Sequence, residues 1–212
     1  MFAVLFEVHP KPEKWDDYLG IAKMLKPELE AIDGFLENIR YRSLTRPGWL
    51  LSLSIWRDEK ALVRWRTQAV HHGAQERGRF EIFGDYHLRV GELTGTGSTG
   101  RSDETQVGAG TIVTLVDAKR AAKEVPPEEI ATSLGLQPGA AGLVAWDVFD
   151  AVLTPGDVIL LATFCDQQAA AVTRKDGARL RQVRILRDYG MYDRREAPQY
   201  YPQVDGPEAA GR

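Results

Sequence analysis

The chain has 212 residues, of which 43% are apolar and 27% charged, with a net charge of −3 and a single cysteine, Cys165. This is enough apolar material for the core of one large domain or two small ones, and neither half carries the concentrated basic surface that nucleic acid requires. One cysteine excludes an internal disulfide framework and a cysteine-only zinc site. With no apolar run near the ~20 residues of a membrane span and no signal-peptide pattern at Met1, a soluble cytoplasmic protein is expected.

Residues 2–8 are a short apolar run ending at His9-Pro10 and predict a strand. From Glu13 to Ile32, Trp15, Leu19, Ala22 and Leu29 recur at helical steps. Pro27 should kink or split this helix, because proline removes a backbone donor and crowds the preceding turn. Residues 35–44 and 49–57 read as strands joined by the turn Thr45-Arg46-Pro47-Gly48. Asp58 suits the N-cap of a second helix through about Arg77, and Phe83–Leu93 is the last strand of this unit. The order β-α-β-β-α-β is the ferredoxin-like unit.

Residues 94–110 hold five glycines without apolar periodicity and read as a flexible linker. Gly95-Thr-Gly97-Ser-Thr-Gly100 lacks the following helix that a dinucleotide-binding turn needs. The pattern then restarts: a strand at Thr111–Val116, a helix at Pro127–Leu134, a hairpin of Leu143–Val152 and Asp157–Phe164, a helix from Asp166 to about Lys175, and a strand at Gln182–Tyr189. An aromatic tail, Tyr192 to Tyr201, should pack on the body, and residues 202–212 should fray.

The restart is a repeat. Shifted by 108 positions, Val8, Lys11, Gly34, Pro47, Gly48, Asp58, Ala61 and Arg66 fall on Val116, Lys119, Gly142, Pro155, Gly156, Asp166, Ala169 and Arg174. Past Arg66 the offset drops to 103, where Asp85-Tyr86 meets Asp188-Tyr189. The first copy therefore carries five extra residues in the stretch that holds His71 and His72. The expected fold class is α+β, with two tandem ferredoxin-like repeats (1–93 and 111–201) forming an intramolecular dimeric α+β barrel. A single, asymmetric site in the first copy is expected.

On a continuous helix from 58 to 77, Leu62, Trp65, Ala69 and His72 would share the buried stripe, with His71 on the solvated one. His72 would then lie beside Trp65, placed to take a proton from a phenol or to ligate iron. Trp65 could stack on a planar substrate, and Arg79 and Tyr86 could bind a carboxylate or phenolate. Trp49 and Trp56 read as core residues, and His9 as a surface one.

Asp33-Gly34-Phe35, Ser54-Ile55-Trp56-Arg57-Asp58, Trp65, His72-Gly-Ala-Gln75-Glu-Arg-Gly-Arg79 and Phe83-Gly-Asp-Tyr86-His-Leu-Arg-Val90 together give the first repeat a recognisable pattern. It resembles the antibiotic biosynthesis monooxygenase domain of the dimeric α+β barrel superfamily; the second repeat matches only through the first. The resemblance implies either oxygenation of aromatic polyketides or quinols with O₂ and no cofactor, or haem binding and degradation. The haem-degrading pattern wants an asparagine in the first strand and a histidine nine or ten residues after the tryptophan. Here the strand reads Val4-Leu5-Phe6-Glu7-Val8, and those later positions are Ala74 and Gln75. The expectation is a cofactor-independent, metal-free monooxygenase of a quinol or polycyclic phenol. His72 would be its base, Trp65 the stacking wall, and Arg79 or Tyr86 the stabiliser of the oxyanion. The alternatives are haem held by His72 and a non-catalytic binder of small molecules. Partners are a small aromatic ligand and, beyond the internal pseudo-dimer, a further homodimer is left open.

Overall fold

The structure, a computed structural model, describes residues 1–94, 109–119, 125–167, 169–170, 177–199, 201–202 and 204. Most of the linker, the body of the helix expected after Asp166, Tyr200 and nearly all of the expected frayed terminus lie outside the described residues.

The first repeat comprises β1 (Phe2–Pro10), α1 (Trp15–Glu30), β2 (Phe35–Ser43), β3 (Leu50–Trp56), α2 (Glu59–Thr67), α3 (Ala69–Arg77) and β4 (Phe83–Thr94). The second comprises β5 (Ile112–Lys119), α4 (Pro127–Ser133), β6 (Leu143–Ala151), β7 (Asp157–Phe164) and β8 (Arg179–Gly190). The eight strands close one barrel in the order β1-β3-β2-β6-β7-β5-β8-β4. Each repeat is a contiguous four-stranded half, and two antiparallel seams join the halves: a short one at Tyr41↔Ala151 to Ser43↔Phe149, and a long one from His87↔Gly190 to Thr94↔Gln182. No helix among the described residues is long and apolar enough to cross a membrane.

Alternation along the strands sorts side chains between lumen and exterior. Ala3, Leu5, Leu51, Leu53, Val113, Leu115, Phe149, Ile159, Leu161, Val183 and Ile185 pack inward as one core drawn from both repeats. Neither half could bury this face alone, which is why the copies associate. Inward positions also carry a charged cluster: Glu7 pairs with Arg89 and Arg46, and Arg46 with Asp147.

The residues kept by both copies do the same work twice. Asp58 accepts from the Ala61 amide at 2.8 Å, and Asp166 from the Ala169 amide at 2.7 Å. Each capped turn presses its alanine against a glycine in the left-handed region, Gly34 (φ 92°) and Gly142 (φ 78°), where an added Cβ would lie 2.7 and 2.4 Å from the alanine Cβ. Both the positive φ and the close approach require glycine.

Two expectations are corrected. Pro27 does not split its helix: α1 runs unbroken from Trp15 to Glu30 with the proline inside it, so the helix continues despite the backbone donor that proline lacks. The expected helix from Asp58 to Arg77 does break. Gln68 is extended (ψ 131°), and its side-chain oxygen accepts from the His71 amide at 2.7 Å, so it caps a new helix, α3. A π-helical turn, Gly78–Ile82, follows before β4.

Candidate functional site

The site is built on the outer face of the first half-barrel, under α1 and α2. Register defines two rows of outward residues across the sheet: Arg40–Ser52–Phe6–Leu88 and Asn38–Ser54–Val4–Val90, each in the strand order β2-β3-β1-β4. The β1 and β4 members are apolar, and the β2 and β3 members are polar. Phe2, Val4, Phe6, Leu88 and Val90 are only partly buried against the clusters formed with the helices. The equivalent face of the second repeat is filled: Ile112, Val116, Leu160, Ala162 and Phe164 are buried beneath Ile130, Ala131, Leu134 and Leu136. Among the described residues, the β1 positions of this face are less buried in the first repeat than their counterparts on β5.

Trp65 of α2, like Phe2, Val4 and Val90, is partly buried against the cluster of Leu29, Trp56, Ala61 and Leu62. His71 stacks face-on against its indole, with centroids 4.0 Å apart, and Nδ1 lies 2.9 Å from the Trp65 carbonyl. A carbonyl only accepts, so this contact puts the proton on Nδ1 and leaves Nε2 as an acceptor. Burial pushes the His71 pKa down to about 4, against the partial relief of the bond to Trp65. His72, expected beside Trp65, is instead exposed, with its ring stacked on Tyr201 at 5.8 Å. The break at Gln68 re-phases α3, so the wheel that placed His72 inward does not apply across it. The expected place of His72 beside Trp65 is therefore taken by His71.

Arg79 and Tyr86 are brought together as expected, but with a third party. Arg79, 2% exposed, donates to the Tyr86 hydroxyl at 3.1 Å, the Met191 carbonyl at 2.7 Å and the Pro202 carbonyl at 3.2 Å. Arg194 donates to the same Tyr86 oxygen at 2.5 Å. The tail of the second repeat thus closes over the first. Gln199 and Tyr201 both donate to Gln75 Oε1, at 3.1 and 3.3 Å, and Arg194 donates to the Gln199 carbonyl at 3.1 Å. Arg194, Ala197, Pro198, Gln199 and Tyr201 line a hollow of about 300 Å³. Trp56 is fully buried, with Nε1 donating to Ser54 Oγ at 2.9 Å, and Trp49 stacks on His9.

The polar stripe of Asn38, Arg40, Ser52 and Ser54 was not foreseen. Its signal lies in the repeat itself: at the 108-residue offset these positions become Trp146, Val148, Leu160 and Ala162.

The pKa of His71 gives a pH prediction. The folded value lies below the ordinary 6.5, so its contribution to stability is complete above pH 6.5 and is lost as pH falls toward 4. The loss should be no more than ~3 kcal/mol. A His71→Phe variant should show a flatter fall in urea midpoint between those pH values than the wild type; parallel profiles would contradict the buried neutral imidazole.

Two ferredoxin-like repeats closed into one barrel define a fused dimeric α+β barrel. The antibiotic biosynthesis monooxygenase family model matches residues 1–77. A relative from Pyricularia oryzae, named jasmonate monooxygenase ABM, is 51% identical over 215 residues, covering 95% of this chain and 99% of its own. This chain belongs to the antibiotic biosynthesis monooxygenase family. The solved structure of an aldoxime dehydratase in complex with butyraldoxime shares the fold, with a TM-score of 0.55 at 11% identity over 87% of this chain and 79% of that one.

Proposed function

We propose that this protein is a monooxygenase that oxygenates a small cyclic substrate in the cleft of the first repeat, with jasmonate as the leading candidate. The observation that carries the proposal is the asymmetry between the copies. The outer-face side chains Phe2, Val4, Phe6 and Trp65 are only partly buried in one repeat, whereas Ile112, Val116, Leu160, Ala162 and Phe164 are buried in the other. The near full-length identity to a relative named for jasmonate supports the substrate. Trp65 supplies the wall on which the ring rests. His71, rather than His72, offers a neutral acceptor nitrogen at that wall. Arg79, Tyr86 and Arg194 hold the tail that limits access of water.

Electron balance separates jasmonate from the quinol or polycyclic phenol that the family pattern implies. A phenol oxygenated to a quinone gains one oxygen and loses two hydrogens, which leave with the second oxygen as water, so it supplies every electron itself. Hydroxylating a C–H bond of a cyclopentanone carboxylic acid needs two further electrons and two protons from an external donor. The quinol reading is retained for the aromatic lining of the cleft, and it is the one compatible with a cofactor-free reaction.

The test is O₂ uptake with product mass analysis, using jasmonate with and without a two-electron reductant and a panel of quinols without one. The expected outcome is a jasmonate product one oxygen atom heavier, formed only with reductant, at a rate lowered about tenfold or more by Trp65→Phe or His71→Gln. Turnover of quinols alone would move the assignment to the phenolic class. Rates untouched by both variants would remove the cleft as the site.

A further inference from the structure

We infer that Arg40 is a carboxylate anchor, and that the cleft of the first repeat takes a cyclic or chain-like apolar acid with its carboxylate on β2 and β3 and its body on β1 and β4. The inference deepens the proposed function and rests on that reading of where the substrate sits.

The first observation is an uncompensated charge. Arg40 is half-buried on the outer face of β2, its Nε is fully buried with no hydrogen-bond partner, and its guanidinium lies near the Tyr18 side chain of α1. Burial raises the Tyr18 pKa despite this neighbour, so the phenol is neutral and does not balance the charge. Arg89 and Arg181, both buried, have carboxylate partners in Glu7 and Asp117. Arg40 has none among the described residues. A guanidinium withdrawn from water without a counter-ion is costly, and a carboxylate arriving with a ligand relieves that cost.

The second observation is the donor set around it. Ser52 lies across from Arg40 in register, and Ser54 across from Asn38. Ser52 Oγ accepts from Asn38 Nδ2 at 3.0 Å, and Ser54 Oγ accepts from Trp56 Nε1 at 2.9 Å. Each hydroxyl accepts and so keeps its own proton to donate. The exposed part of the Arg40 guanidinium and the Ser52 hydroxyl, neighbours in register, are donors suited to a carboxylate and poorly suited to a neutral apolar group.

The third observation is internal to the chain. The second repeat keeps the same strands and register but carries Trp146, Val148, Leu160 and Ala162 at the four equivalent positions, three of them fully buried. The fold therefore does not need polar side chains there. The stripe exists only in the copy whose β1 positions on this face are less buried.

From Arg40 the row runs through Ser52 and Phe6 to Leu88. Four strands spaced ~4.8 Å apart give a span of ~14 Å, which accommodates a small acid lying across the sheet. The carboxylate end is then held at β2, and the carbon to be oxidised lies over β1 and β4, toward Trp65.

The test uses the full chain with jasmonic acid and its methyl ester as probes, read by calorimetric binding and by product formation, in wild type, Arg40→Met, Arg40→Lys and Ser52→Ala. Wild type should bind the acid at least about tenfold more tightly than the ester, the value expected of a charge-assisted hydrogen-bonded pair. Arg40→Met should bring the acid-to-ester ratio to about one, and Arg40→Lys should recover part of it. Ser52→Ala, a milder change, should lower the ratio and guards against an Arg40→Met protein that does not fold. An acid preference that survives in every Arg40 variant, or no binding of either probe, overturns the inference. An acid preference lost in Arg40→Met without any oxygenated product supports the anchor and overturns the proposed reaction instead.

Discussion

Gly91→Val should open the barrel. Gly91 lies on the long seam, opposite Ala3 on β1 and Ile185 on β8, where the register between β4 and β8 shifts. A Cβ at this position would fall 2.4 Å from the Arg184 carbonyl oxygen and 2.5 Å from Val183 Cγ1. Backbone on the far side of a ladder cannot step aside as a flexible side chain can. Overpacking of this kind should cost about 3–5 kcal/mol, a large part of the stability of an ordinary domain. The expected result is a large fall in urea midpoint together with exposure of the shared apolar lumen, seen as dye binding or aggregation. Gly20→Ala is the matched control: nothing lies within 4 Å of its Cβ. It sits within α1, so it should gain about 0.5–1 kcal/mol from helix propensity. Equal effects from the two substitutions would mean that the seam does not hold the halves together.

Glu7→Ala should be nearly as damaging, for an electrostatic reason. Glu7 is 4% exposed and Arg89 3%; Arg89 donates to Glu7 Oε1 at 2.5 Å, and Arg46 reaches Oε2. Removing the carboxylate leaves the buried Arg89 guanidinium without an anion, while Arg46 keeps Asp147, and should cost about 3–5 kcal/mol. The second repeat carries Leu115 at the equivalent position, so an apolar residue fits the lumen once no arginine needs an anion. Glu7→Leu combined with Arg89→Met should therefore recover most of the loss. Burial by itself would raise the Glu7 pKa, but Arg89, Arg46 and His87 together hold it below the ordinary 4.5. The stabilisation is thus complete above pH 4.5 and is lost as pH falls through the lower folded value. Wild type should lose urea stability in that acid range, and the double variant should lose less of it. A double variant as unstable as Glu7→Ala would assign the loss to packing rather than charge.

The architecture was legible because it is repetitive and locally encoded. Gly34 and Gly142, with Asp58 and Asp166, mark the same capped turn in both copies, and period-two alternation marks the strands. Some of the geometry around the candidate residues was legible: Trp65 is partly buried on the helix side of the sheet, and Arg79 does meet Tyr86. The neighbour of Trp65 was not, because a wheel assumes one uninterrupted helix and a single extended residue, Gln68, resets the phase, so that His71 rather than His72 stacks on the indole. The role of the tail could not be read either. Arg194 and Gln199 act on Tyr86 and Gln75, more than a hundred positions earlier, and no local pattern encodes contacts of that separation.

By itself the sequence determined the duplicated ferredoxin-like units, the strand order within each, and the family to which the first belongs, since caps, turns and alternation act between near neighbours. Tertiary structure decided which histidine meets Trp65, how the second repeat's tail closes over the first, and that Arg40 has no carboxylate partner among the described residues. Those depend on where chain segments far apart in sequence come to rest, and on whether the groups that would neutralise a charge arrive with them.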